Sequence, residues 1–223
     1  MTLDSIKLKD LNYRIPEGFK IYSNKYDDHK YYYYGEKVMS RDDIFIAGLH
    51  NVENCISAIM LVKEFGVSNE IIKEVISNFR GVEHRLEYVD TIDGRRFYND
   101  TEATNIKCTQ IALSSFDKPT IIILGGLERG QDFNELKEYM KHVKLIVCYG
   151  ENKNRIKEFG DNLMIETVVL DNLVDATNKA YELSSEGDVI LLSPSSASWD
   201  QYKECEVRGA EFKQLVQELK SEI

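Results

Sequence analysis

Four stretches of the chain carry polar side chains in patterns suited to a charged ligand. In Gly48-Leu49-His50-Asn51-Val52-Glu53-Asn54, the carboxamides of Asn51 and Asn54 stand three residues apart on one helical face. There they can offer donors and acceptors to a base or a ribose, although Asn51 also suits the N-cap of that helix. In Gly81-Val82-Glu83-His84-Arg85-Leu86, the His-Arg pair suits a phosphate, because guanidinium is a fixed fork of donors. An ion pair with Glu83 or Glu87 would use the same residues.

The third stretch is Tyr98-Asn99-Asp100-Thr101-Glu102-Ala103-Thr104-Asn105, running from a strand into a helix. Thr104 is placed to cap that helix or to contact an anion at its N-terminus, and Asp100 can accept from a ribose hydroxyl. The fourth comprises two strand ends, Leu124-Gly125-Gly126-Leu127-Glu128-Arg129-Gly130 and Ser193-Pro194-Ser195-Ser196-Ala197-Ser198-Trp199-Asp200. Its glycines would let backbone approach a ligand, Arg129 can pair with a carboxylate, and Ser198 can donate from the start of the following helix. No G-K-[ST] follows the Gly-Gly pair, so it is not a phosphate-cradling loop, and no G-x-S-x-G elbow or metal-ligand spacing occurs.

Elements that would position these loops follow from periodicity. Tyr22, Tyr26 and Tyr31–Tyr34, broken by Gly35, read as short β structure. Val52, Cys55, Ile56, Ile59 and Val62 mark one helix, stopped at Gly66. Ser68 caps a second, Asn69–Phe79, with Ile72, Val75, Ile76 and Phe79 expected to face inward. From Gly81 the rhythm changes. Leu86–Thr91 and Arg95–Tyr98, joined through Asp93-Gly94, predict a hairpin. Apolar runs at Thr120–Leu124, Leu145–Cys148, Thr167–Leu170 and Val189–Leu192 suit strands buried on both faces of a parallel sheet. Helical patterns separate them at Ile106/Thr109/Leu113/Phe116, Phe133/Leu136/Met140 and Asp175–Leu183, and a last helix is expected from near Trp199. The alternation predicts a doubly wound α/β domain over 81–223, preceded by a β/helical unit over 1–80.

Composition bounds the rest. With 223 residues, 43% hydrophobic and 30% charged, the chain can bury a substantial core. A net charge of −10 argues against nonspecific nucleic-acid or anionic-membrane binding. Met1–Asp10 has no continuous apolar stretch and does not read as a signal peptide. Cys55, Cys108, Cys148 and Cys205 form no C-x-x-C pair and read as free thiols, which fits a reducing cytoplasm.

Taken jointly, GLHNVEN (48–54), GVEHRLE (81–87), FYNDTEATN (97–105), ILGGLERGQDF (123–133) and LLSPSSASWDQYKECEVRG (191–209) resemble the Mur ligase family. The NDTEATN and SPSSASWDQ wording is similar to members that add D-glutamate to UDP-N-acetylmuramoyl-L-alanine in peptidoglycan synthesis. The resemblance implies that residues 1–80 are the end of a central ATP-binding domain and 81–223 a C-terminal Rossmann-like domain. It implies ATP and Mg²⁺ as cofactors, with the G-K-T loop and the Mg²⁺ ligands outside this sequence, so that the chain alone would be inactive. It further implies that Asn51 and Asn54 contact adenine and that Arg85 and Asp100 contact the phosphate and ribose side of ATP. D-glutamate would be held by Thr104, Arg129, Ser198 and the backbone near Trp199. Glu102 stands where the family usually carries lysine, and Cys205 where an aromatic residue is usual. The reading from another class is a noncatalytic module that binds a nucleotide or an acidic ligand, or partners a separate ATPase.

Overall fold

The computed structural model describes residues 19–24, 27–33 and 36–221. Tyr26, Tyr34, Gly35 and the segment Met1–Asp10 lie outside the described residues. The chain divides into two compact units between Arg80 and Gly81.

In the first unit, β1 (Phe19–Asn24), β2 (Asp27–Tyr33) and β3 (Glu36–Ser40) form an antiparallel sheet in chain order. Helix α1 (Leu49–Glu64) packs Val52, Cys55 and Ile59 into a small core with Val38, Met39, Ile44 and Ile72. Gly48, at φ 93°, starts α1, so Asn51 is not its cap. Ser68 caps α2 (Asn69–Asn78) by accepting from the Ile71 N–H. The inward stripe expected on α2 is narrower than its apolar residues: Ile72 is buried, but Val75 and Phe79 are exposed. Their periodicity was right for a helix, yet only one edge of that helix meets the core.

The second unit is a six-stranded sheet in the order β4-β5-β9-β6-β7-β8. β4 (Glu87–Ile92) and β5 (Arg95–Asn99) are the antiparallel hairpin. Both turn residues, Asp93 and Gly94, take positive φ, as a tight twist-matched turn requires. From β5 onward every pairing is parallel: β9 (Val189–Leu192), β6 (Thr120–Gly125), β7 (Val143–Tyr149) and β8 (Glu166–Val169). Ile121, Ile123, Leu145, Val147, Ile190 and Leu192 face α5 (Leu173–Glu182) and α6 (Cys205–Ser221), packing on Leu173, Ala176, Phe212 and Val216. By alternation, Ile122, Leu124, Ile146 and Leu191 are buried on the opposite face.

Four expectations need correction. β8 is the sheet's edge and is only partly covered, so its apolar run does not mark a strand buried on both faces. Phe133–His142 winds as a 3-10 helix, although Phe133, Leu136 and Met140 are buried as expected. The 10-residue helix α4 (Lys153–Asn162), with buried Ile156 and Phe159, hid beneath its many charged residues. The last helix begins at Cys205, six residues after Trp199. Ser198 to Tyr202 instead form a turn, with the Ser198 carbonyl accepting from the N–H groups of Gln201 and Tyr202.

Candidate functional site

β5, β9, β6 and β7 are neighbours, and all four end at one edge of the sheet. In open α/β sheets this carboxyl edge is where ligands collect. The loops that leave it are Asp100–Asn105, Ser193–Asp200, Gly125–Gln131 and Gly150–Asn152. Three of them carry sequence-predicted site residues.

The glycine pair serves the loops themselves. Gly125 and Gly126 have φ of 135° and 143°, and a Cβ on Gly125 would meet the Tyr149 carbonyl oxygen at 2.0 Å. On Gly126 it would meet the Ala197 carbonyl oxygen at 2.3 Å. The glycines therefore admit backbone from the neighbouring loops, not the ligand the sequence suggested. Gly125 N–H donates to the Pro194 carbonyl (3.0 Å) and Leu127 N–H to that of Ala197 (2.9 Å), zipping the β6 and β9 loops together.

On the β9 loop, Ser198 is 1% exposed and its hydroxyl has no hydrogen-bond partner among the described residues. A buried hydroxyl left unpaired costs roughly 1–3 kcal/mol, which a bound acceptor would relieve. Next to it, Trp199 is 65% exposed. Its ring lies 5.8 Å from the guanidinium of Arg129, which projects from the exposed turn of the β6 loop. Trp199 to Lys203 line an open depression. Thr104 is partly buried on the β5 loop, but Asn105 is the cap of α3 (Ile106–Leu113), accepting from the Cys108 N–H. The capping role assigned to Thr104 thus falls to its neighbour.

Asp100 is placed differently from a surface ribose ligand. It is 8% exposed, and its carboxylate accepts from the Leu86 N–H (3.0 Å) and the Ser193 hydroxyl (2.8 Å). Burial pushes its carboxyl up to about 6, against the pull of those two donors. The side chain fastens the His84–Leu86 segment, where both His84 and Leu86 hold positive φ, to the β9 loop. Arg85, just beside it, stays largely exposed and lies 3.4 Å from Glu102. In the first unit, Asn51 donates to the Ala47 carbonyl (2.7 Å) and accepts from Asn54 (3.3 Å). That bond leaves the exposed Asn54 amide one acceptor and one donor, the pair an adenine edge requires.

Glu102, Cys205 and Glu206 bring one ligand atom each within 4.8 Å of one another. The Cys205 thiol donates to Glu206 (3.3 Å) and Glu102 (3.6 Å), and burial together with the two carboxylates pushes it up to about 11. As placed, the trio is a protonated thiol satisfied by carboxylates.

Sequence reasoning missed the residue beneath the site. Arg208 on α6 is fully buried and faces no carboxylate within ion-pair distance among the described residues. Its guanidinium donates to the Thr101 hydroxyl (2.9 Å), the Thr101 carbonyl (2.9 Å) and the Ser196 carbonyl (3.1 Å). It thereby ties the β5 loop to the β9 loop. The signal lay in the α6 stripe, for Arg208 stands four residues before buried Phe212, where an apolar residue belongs. Gln131, Ser196 and Asn152 were also missed as a group, because they converge from three loops.

The fold is a Rossmann-like α/β domain whose strand ends and loops gather at one edge of a mostly parallel sheet. MurF from Acinetobacter baumannii has a similar fold, with a TM-score of 0.62 at 16% identity over 92% of this chain and 46% of that one. The UDP-N-acetylmuramate-alanine ligase MurC from Thermotoga maritima gives 0.59 at 15% identity, over 86% and 43%. The family described as Mur ligase, glutamate ligase domain, matches residues 84–196, and the chain belongs to that family. The UDP-N-acetylmuramoylalanine--D-glutamate ligase of Bacillus subtilis (strain 168) is 49% identical over 187 residues, 83% of this chain. The chain spans 42% of that relative's length.

Proposed function

We propose that the chain is the amino-acid-receiving part of an ATP-dependent ligase that joins D-glutamate to UDP-N-acetylmuramoyl-L-alanine. Residues 81–223 would serve as the C-terminal domain and residues 1–80 as the end of the central ATP-binding domain, working in the cytoplasm on peptidoglycan precursors. The observation that carries the reading is the buried, unpartnered hydroxyl of Ser198, on a loop zipped to the one that bears Arg129. A dicarboxylate supplies the acceptors that both lack.

In the reaction, the carboxylate of the UDP-sugar substrate takes a phosphoryl group from ATP. The amine of D-glutamate then forms the C–N bond as the C–O bond to phosphate breaks and phosphate leaves. This chain's residues hold and orient. Arg129 grips a carboxylate as a fork, while the Ser198 hydroxyl and the N–H of Trp199 complete the grip. Thr104 adds a hydroxyl near the N-terminus of α3. Arg85 steers the phosphate side of ATP, Asn51 and Asn54 meet adenine, and Asp100 acts from behind by fixing the Arg85 segment. Mg²⁺ would supply neutralisation of phosphate charge, held by residues outside this chain.

The test is a ligase in which this chain replaces the matching part of the Bacillus subtilis relative. Phosphate release with UDP-N-acetylmuramoyl-L-alanine, ATP and Mg²⁺ is expected to require D-glutamate and to ignore L-glutamate. A folded, active enzyme that prefers a neutral or basic amino acid would reject the assignment. The chain alone, which has no G-K-[ST] loop, should release no phosphate.

A further inference from the structure

Gln131 touches both loops of the candidate amino-acid site. Its carboxamide oxygen accepts from the backbone N–H of Arg129 (3.0 Å), closing the turn that presents that side chain. Its amide group donates to the Ser196 hydroxyl (2.8 Å) and the Ser195 carbonyl (3.4 Å). Asn152 repeats the pattern from the β7 loop, accepting from the Gly126 N–H (3.2 Å) and donating to the Ser196 hydroxyl (2.7 Å). In both carboxamides a backbone N–H fixes which end is oxygen. Ser196 and Asn152 are buried, and the two amides fill both lone pairs of the serine oxygen. From the other side, Arg155 donates to the Gln131 carbonyl (2.7 Å). The β6 turn is thus stapled to the β9 loop at a buried node two residues before Ser198.

We propose that Gln131 is the positioning residue that sets the separation of Arg129 from Ser198, and through it the length of acidic amino acid the site accepts. The inference rests on the D-glutamate reading above and adds to it a determinant of chain length. Gln131 makes no contact with the ligand in this scheme. It holds the backbone of the residue that does, so that a dicarboxylate one methylene shorter cannot reach both arms. A missing methylene in a well-formed site costs about tenfold or more in discrimination.

Trp199 is the chain's one tryptophan, follows Ser198 in the chain and lies against the Arg129 guanidinium, so its emission reports the site. The chain is titrated with D-glutamate and with D-aspartate to millimolar concentration, as wild type and as Gln131→Met, which keeps volume but loses the staple. Wild type is expected to bind D-glutamate about tenfold more tightly than D-aspartate. Gln131→Met should stay folded with a somewhat lower unfolding temperature, bind D-glutamate roughly tenfold more weakly, and bring the two ligands within about twofold of each other. Gln131→Glu keeps the acceptor for Arg129 and can receive the Ser196 proton. It should restore the preference but not the affinity, since the added charge repels both ligands alike. If Gln131→Met keeps the wild-type preference, at whatever affinity, the length-setting role is overturned. If wild type shows no saturable response to D-glutamate, the reading beneath it fails and the inference falls with it.

Discussion

The Arg129 guanidinium lies over the Trp199 ring, 5.8 Å from its centre, and so joins the tips of two loops that leave neighbouring strands. At an exposed site such a contact is worth about 0.5–1 kcal/mol, weak enough for a carboxylate to compete for the cation. Arg129→Ala should therefore alter the emission of Trp199 in the free chain and abolish its response to D-glutamate. Unchanged emission together with an intact response would remove Arg129 from the site.

The pH dependence of stability should carry the mark of Asp100. Its folded carboxyl titrates near 6, above the 3.8 of an unperturbed aspartate, so the folded chain holds that proton more tightly than the unfolded chain does. Its contribution is present below about pH 4, falls as pH rises to about 6, and stays level above, a swing on the order of 3 kcal/mol. Asp100→Asn should erase that swing. Its amide oxygen can still accept from Leu86, and the Ser193 proton can turn to Thr109 Oγ1, 3.1 Å away. Urea unfolding of both proteins from pH 4 to 8 checks this, and parallel curves would exclude Asp100 as the source.

Gly126→Ala should be among the most damaging single substitutions. The new methyl meets a backbone carbonyl at 2.3 Å, at a φ that alanine avoids. A loss of roughly 4 kcal/mol is expected, read as a fall in the unfolding midpoint or as insoluble protein. A variant of near-native stability would mean that the β6 and β9 loops can part.

Cys205 should be a sluggish nucleophile. With its thiol pushed up to about 11, its thiolate at pH 8 is about a hundredfold scarcer than that of an ordinary cysteine. Alkylation at pH 8 followed by peptide mapping should find Cys205 largely unmodified when a free thiol reagent is consumed. Glu102→Gln, which removes one of the two carboxylates, should speed its modification.

Much of the second unit was legible because each signal was local. The Asp93-Gly94 turn and the apolar runs of β6, β7 and β9 are fixed by residues within a few positions of one another, as is the Ser68 cap in the first unit. Loop wording picked out residues that the fold gathers at the strand ends: Arg129 and Ser198 stand on loops joined by backbone hydrogen bonds, and Arg85 is exposed beside Glu102. What escaped depends on distant partners. Asp100 looked like a ligand residue until its two donors, the Leu86 N–H and the Ser193 hydroxyl, were seen to occupy it. Gly125 and Gly126 looked like room for a ligand until Tyr149 and Ala197 were found filling that room. Helix α4 escaped for another reason, since charge outweighs apolar residues along it and only Ile156 and Phe159 declare its buried side.

Arg208 also bears on the order in which the molecule can be made. The β5 and β9 loops leave the ribosome before α6 does, yet the guanidinium that ties Thr101 to Ser196 resides on α6. During synthesis the strands are made before the helix that covers one of their faces and carries this anchor. Until α6 arrives, the β5 and β9 loops are held to each other by the Asp100–Ser193 bond but not by the guanidinium that ties Thr101 to Ser196.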